Sequence, residues 1–410
     1  MHKFTREQTQ IIWVLALVNF FNYVDRQVIF PLFNSIQAEF GVSDTQLGLL
    51  GSVFMLVHSL ASVPLGMLAD KYSRKLLITA GVTFWSFASF FSGMATSFKA
   101  LLGIRSMVGI GEASYAPAAT AMISDNFPQE ERAMAQGYFN AGMFIGGTLG
   151  AALGGIIAYH FNWRYAFFFV SAPGFLLAFF SSRLYDKTEK SVHPKIPFKQ
   201  LLKNPALLWA IVGGTLTAFA GGGYIAWGVE FVRRYKGYNI QEASIILGLT
   251  MMIAGVLGVF LGGYVADRLH KKFAWGRSDT IAWSLLIAAP LMFLGLQANG
   301  KYFLLLFFLG SMFLSAYHSP ATAVIHDVVP KQARATAFAF YVLIIHLFGD
   351  TTAPAVVGRI SDLSQSRFGG DGGLRHGLEF VTIFVFLAGI CFFYVSKSIR
   401  NKTSPEYIED

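Results

Sequence analysis

The chain has 410 residues, 54% of them hydrophobic and only 13% charged, with a mean hydropathy of +0.51. Soluble domains carry about 25% charged residues, so an ordinary water-soluble enzyme is excluded. Apolar stretches near twenty residues long recur from end to end, as in a polytopic helical membrane protein. They are continuous rather than alternating, which speaks against a β-barrel.

The formal charge of +9 raises nucleic acid as a partner, but its placement gives a different reason for it. Twelve spans are expected, at about 11–33, 45–69, 75–95, 101–124, 133–160 and 163–183, then 207–232, 242–267, 279–298, 302–326, 335–360 and 375–396. With the N-terminus in the cytoplasm, the inner loops and tails hold more than twice as many Lys and Arg as the outer loops. That bias predicts cytoplasmic termini, with the basic excess lying against the inner leaflet rather than nucleic acid. The first span is expected to remain as a helix, because Asp25-Arg26 interrupts it and no small-residue cleavage site follows. The one cysteine, Cys391, sits in an apolar run, so neither disulfides nor a thiolate metal cluster are implied.

Residues 185–206 are polar, basic and broken by Pro194 and Pro197. They read as a cytoplasmic linker between six-helix bundles at 1–184 and 207–410. The two halves repeat. Gly66-Met-Leu-Ala-Asp70-Lys-Tyr-Ser-Arg74-Lys75 follows the second span, and Gly263-Tyr-Val-Ala-Asp267-Arg-Leu-His-Lys271-Lys272 follows the eighth. Asp125-Asn-Phe-Pro128 through Arg132-Ala133 is matched by Asp327-Val-Val-Pro330 through Arg334-Ala335. Two like halves joined by a linker are the sequence pattern of a transporter that rocks one half against the other.

At these residues the chain resembles the major facilitator superfamily, whose signature loop Gly66-x-x-x-Asp70-x-x-x-Arg74-Lys75 matches. Within it, three stretches resemble the spinster family of lipid transporters. They are Asn22-Tyr23-Val24-Asp25-Arg26, Gly109-Ile-Gly111-Glu112-Ala113-Ser114-Tyr115, and Gly349-Asp350 followed by Pro354 and Gly358-Arg-Ile-Ser-Asp362. Organic-anion symporters carry a motif similar to the first. The fifth span has Gly146, Gly150 and Gly154 but lacks the Gly-Pro of drug/proton antiporters, which lowers a multidrug-efflux reading. The resemblance implies an all-α fold of two pseudo-symmetric six-helix bundles. It also implies that the first and fourth helices line a central cavity.

Ionisable residues at bilayer depth are costly and mark pathways. Asp25 and Arg26 stand in the first span, Arg105 and Glu112 in the fourth. The last two are seven residues apart, which puts them on nearly one face about 10 Å apart along the axis. The two helices run in opposite directions, so the four charges can meet in the outer half of the membrane. Burial favours the neutral form of an acid. Glu112 has no cation one turn away, so it is the expected proton carrier, with Asp25 as the second candidate. Arg26 and Arg105 keep their protons and suit an anionic headgroup. Ser114, Tyr115, Asp25 and Glu112 complete the expected substrate site. Asn22, Tyr23, Asp350, Tyr224 and Trp227 are expected at the cavity's margin.

Gly66, Asp70, Arg74 and Lys75, with Asp267 and Lys271, are expected to latch the halves, as the resemblance implies. Gly221 and Gly222 align with Asp25 and Arg26, so the ionisable machinery is expected in the first half only. Glu230 reads as a solvated helix end. His58, His318, His326 and His346 are scattered singly, without metal-ligand spacing. No enzyme is expected, and no cofactor beyond a coupling proton.

The reading is a monomeric, proton-coupled transporter of a bacterial inner membrane, working by alternating access. As the resemblance implies, its substrate is an amphiphilic lipid such as a lysophospholipid or sphingoid phosphate. A symporter of small organic anions or sugar acids is the alternative.

Overall fold

The computed structural model describes residues 4–69, 72–186, 201–330, 333–368 and 372–403. Asp70 and most of the expected linker lie outside these residues. The chain folds as two compact units. One is Met1–Val192 with Val232–Gly248, and the other is His193–Phe231 with Leu249–Asp410.

The first unit holds α1 (Arg6–Val28), α2 (Phe33–Phe40), α3 (Asp44–Ala69), α4 (Arg74–Ser92), α5 (Phe98–Asn126), α6 (Gln129–His160) and α7 (Arg164–Ser181). The helix starts are written in polar residues. Thr5 accepts from the Gln8 amide while Gln8 accepts from that of Thr5, a capping box that begins α1 before its apolar run. Ser73 and Ser97 cap α4 and α5 by a single bond each, accepting from the Leu76 and Ala100 amides. Pro31 ends the first apolar span early. The chain makes a short 3₁₀ turn at Phe30–Leu32, then α2, and stops at Gly41, whose φ of 63° needs a glycine.

Packing in this unit rests on glycine. A Cβ on Gly142, Gly146, Gly150 or Gly154 of α6 would fall within 2.7 Å of a carbonyl oxygen of Ala16, Phe20, Val24 or Val28 on α1. Four successive turns therefore bring the two backbones together, as small residues do between membrane helices. The segment Val232–Gly248 belongs to this unit as well. Arg234 there grips Asp44 by two bonds of 2.7 and 2.8 Å.

The second unit holds most of α8 (Pro205–Tyr235) and α9 (Ile240–His270). It continues with α10 (Gly276–Gln297), α11 (Gly300–Ser315), α12 (His318–Asp327), α13 (Arg334–Ile345), a π turn at His346–Asp350, α14 (Ala353–Phe368) and α15 (Gly373–Thr403). The tenth expected span is thus broken between Ser315 and His318, and the eleventh is interrupted by the π turn. Gly222 leaves room for the backbone of that turn, since a Cβ there would lie 3.1 Å from the Asp350 Cα.

Helices lie over every stretch expected to span, and among the described residues ten helical segments are long and apolar enough to cross a membrane. Two others, α1 and α5, are long enough but carry the ionisable residues.

Candidate functional site

The four charges of α1 and α5 meet inside the first unit as two separate pairs. Adjacent residues point about 100° apart on a helix, so Asp25 and Arg26 take different partners. The Arg105 Nη1 donates to Asp25 Oδ1 at 3.1 Å and its Nη2 to the Asp25 carbonyl at 3.4 Å. Ser89 of α4 donates to the other Asp25 oxygen. Both charged side chains are only 2% exposed. The Arg105 guanidinium also lies 5.6 Å from the ring centres of Phe54 and Phe167.

The second pair is differently built. Arg26 donates from Nη2 at 3.0 Å and from Nε at 3.3 Å, both to Oε2 of Glu112. The other oxygen, Glu112 Oε1, is buried and has no hydrogen-bond partner among the described residues. Arg26 is 15% exposed while Glu112 is sealed. The Arg26 guanidinium stands 5.0 Å from the Tyr23 ring centre and 5.2 Å from that of Phe54. One pair is therefore closed to solvent, with only the Arg105 Nε left without a partner among the described residues, whereas the other retains a free acceptor and an accessible cation.

Local sequence explains the burial of Glu112. A Cβ on Gly109 would come within 2.6 Å of the Phe54 carbonyl, and one on Gly111 within 2.8 Å of Trp85. The Gly-Ile-Gly stretch thus lets α5 press against α3 and α4 on both sides of the acid. Ser114 belongs to the same seam. It donates to the Gly111 carbonyl at 2.8 Å and fills the space where a Cβ of Gly81 would stand, so it joins helices. Tyr115 is buried one turn beyond Glu112 and donates to Asn19 and to Asn22 Oδ1. The Nδ2 of Asn22 is, like Glu112 Oε1, buried without a partner among the described residues.

In the second unit, Tyr224 is buried against the Thr382 hydroxyl, and Trp227 donates to the Pro354 carbonyl at 2.8 Å. Both are packed interior side chains. Glu230, expected at a solvated end, is buried as well, because α8 runs on to Tyr235. Asp350 has a partner that sequence reasoning did not assign. His346 Nδ1 lies 2.6 Å from its Oδ2 across the π turn, and both side chains are partly exposed. The four-residue spacing of His346 and Asp350 was the available signal. Tyr317 and Tyr341 hydrogen-bond to each other in the same unit.

At the helix ends, Arg74 is buried and paired with Asp125. The Lys75 amide donates to Asp186 at 3.2 Å. Gly66 faces Pro117, 3.9 Å from the position of its absent Cβ. In the second unit Arg277, which the repeat did not flag, joins Asp267 at 2.8 Å and Asp327 at 2.7 Å. Lys271 is exposed. Arg277 does there what Arg74 does in the first unit, from a different place in the sequence. Among the described residues no group of His, Cys, Asp and Glu is placed to hold a metal ion.

Long apolar helices in two units, with ionisable pairs buried among them, are the architecture of a multi-pass membrane protein. Residues 15–275 match the model of the major facilitator superfamily, and the chain belongs to that superfamily. Among curated relatives, it is 29% identical to protein spinster of Drosophila melanogaster over 87% of this chain and 62% of that protein. It is 29% identical to human protein spinster homolog 1 over 86% of this chain and 72% of the relative. The chain thus spans about two-thirds of the length of these relatives. A solved bacterial homolog of the human lysosomal transporter spinster, inward-facing and unoccupied, superposes with a TM-score of 0.85. It is 25% identical and covers 98% of this chain and 100% of that one. A nucleoside transporter at 13% identity shares the fold, with a TM-score of 0.77. The chain is a transporter resembling the spinster proteins and not an enzyme.

Proposed function

We propose that the chain is a proton-coupled secondary transporter of an anionic amphiphile, such as a lysophospholipid or sphingoid phosphate, and works by alternating access. The observation that carries this reading is the asymmetry between the two ion pairs. Asp25 and Arg105 pair in a dry setting through the two terminal guanidinium nitrogens, which gives α1 and α5 a fixed register. Arg26 and Glu112 form the working pair. A proton on Glu112 removes the charge that holds Arg26, and the freed guanidinium takes the anionic head of the substrate, for which it is geometrically suited. Substrate and proton then favour the same state, which is the condition for coupling.

The lipid character of the substrate follows the spinster resemblance and the apolar surroundings of Arg26. His346 and Asp350 supply a second titratable pair, this one in the second unit. The remaining parts of the reading are twelve spans, with α1 and α5 completing the ten, both termini cytoplasmic, a bacterial inner membrane and a monomer. Reconstituted flux tests the proposal. Wild type is expected to take up lysophospholipid faster under an imposed proton gradient, and Arg26→Ala to lose uptake altogether. Uptake indifferent to the gradient, or retained in Arg26→Ala, overturns it.

A further inference from the structure

The first unit contains an apolar groove, with a cavity volume of about 360 Å³, along the seam of α1 and α6. Its walls run from Phe4 to Phe20 on one side and from Tyr138 to Ile145 on the other. Ala16, Ala141 and Gly142 are its small lining residues, and Trp13, Leu17 and Tyr138 are its large exposed ones. Trp13 is 63% exposed and Tyr138 52%. The Thr9 hydroxyl in its wall donates to the Thr5 carbonyl at 2.9 Å, so that group is already satisfied.

We infer that this groove holds the single alkyl chain of the amphiphile whose anionic head meets Arg26. The inference rests on the transport reading above and gives its substrate a shape. Three observations support it. First, the groove leads to the cation. Thr9, Trp13, Ala16, Phe20 and Tyr23 follow at three- and four-residue intervals, so they lie on one face of α1. The Tyr23 ring carries the Arg26 guanidinium 5.0 Å from its centre. Beyond it, Gln27 still faces Gly147 of α6, 3.8 Å from the position of the missing Cβ.

Second, the length fits. Thr9 to Phe20 spans roughly 16 Å of helix, the scale of one extended alkyl chain. Third, the size fits one chain. The volume lies at the low end of ligand pockets, about 300–1,000 Å³, which favours a single-tailed amphiphile over a two-tailed phospholipid. The cation lies beyond the Phe20 end, past Tyr23, and it is what distinguishes this occupant from ordinary membrane lipid, since none of the residues lining the groove is charged.

The test uses the purified full chain in nanodiscs with monoalkyl phosphates of four, eight and twelve carbons and with 12-bromododecyl phosphate. Affinity is expected to rise with chain length. Ala141→Phe, which puts a ring into the groove from its wall, should weaken dodecyl phosphate about tenfold or more and leave butyl phosphate unchanged. Ala141→Leu should do the same to a smaller degree, and serves if the larger side chain prevents folding. The brominated chain should quench part of the tryptophan fluorescence, and Trp13→Phe should remove that part. Equal responses of butyl and dodecyl phosphate to Ala141→Phe, or quenching that survives Trp13→Phe, overturn the groove assignment. Equal quenching by neutral 12-bromododecyl maltoside in Arg26→Ala also overturns it, because the groove then takes any lipid chain. Loss of the headgroup reading shows separately, as butyl phosphate binding that Arg26→Ala leaves intact.

Discussion

The separation of the four charges into a closed pair and a partly accessible pair makes a sharp prediction for Arg105→Met. The lost attraction is large. Two unit charges 3.1 Å apart interact by about 5 kcal/mol at an effective dielectric near 20. Asp25 would keep only the Ser89 hydroxyl and would remain buried. Removing one partner of a buried pair costs about 3–5 kcal/mol. For a cooperative unit of about 200 residues each kcal/mol lowers the melting temperature by roughly 2–4 °C, so a fall on the order of 10 °C is expected. Asp25→Asn added to Arg105→Met should recover most of it, since the amide carries no charge and still accepts from Ser89. Glu112→Gln should behave otherwise. The amide oxygen still accepts from Arg26, and Arg26 has access to solvent, so the loss is about 1 kcal/mol. Thermal unfolding of the four purified proteins in one detergent measures this. If Arg105→Met melts with wild type, or the double variant is no better than the single one, the closed-pair argument is wrong.

Other parts of the structure give further predictions. Gly146→Ala would drive a methyl group into the Phe20 carbonyl, so it should destabilise by about 1–3 kcal/mol in the same melting assay. Gly137→Ala, with open space at its Cβ, should be neutral or slightly stabilising. Bonds from Arg164 and Trp163 hold the Glu39 carboxyl below its ordinary range. That stabilisation is present above the ordinary carboxylate pKa and is lost as pH falls through the depressed value. Glu39→Gln should therefore lower the melting temperature modestly at pH 7, and the gap should close under strong acid. Arg277→Gln should leave Asp267 and Asp327 unbridged, costing about 1 kcal/mol for these partly exposed groups. Its readout is the melting temperature at low and high salt, with a smaller deficit at high salt.

Much of the fold could be read from the sequence because bilayer-length apolar runs are a strong signal. The interruptions were harder to see. Pro31 shortened the first span and released α2, and the breaks near Ser315 and at the π turn fall at His318-Ser-Pro320 and His346 to Pro354, polar and proline-bearing stretches that a window of mean hydropathy averages away. For the site, the cost of intramembrane charge picked out Asp25, Arg26, Arg105 and Glu112, and the opposed direction of two helices suggested that they meet. Which acid faces which arginine depends on helix rotation, and an unaligned sequence does not supply that. Ser89 was invisible for the same reason, being one serine among several on α4. Ser114 was read as substrate-facing from its motif, yet Gly81 draws it into a helix seam. Arg277, which bridges Asp267 and Asp327, was missed because it lies outside the repeated motif and reaches Asp267 only through folding.

The most direct test of the account is the pH profile of reconstituted lysophospholipid transport in Glu112→Gln. The amide mimics the protonated acid and cannot exchange a proton. Counterflow, which needs no net proton movement, should persist, while uptake driven by a proton gradient should lose its pH dependence. A Glu112→Gln protein that accumulates substrate under a proton gradient with the wild-type pH profile would contradict the assignment of the coupling proton to Glu112.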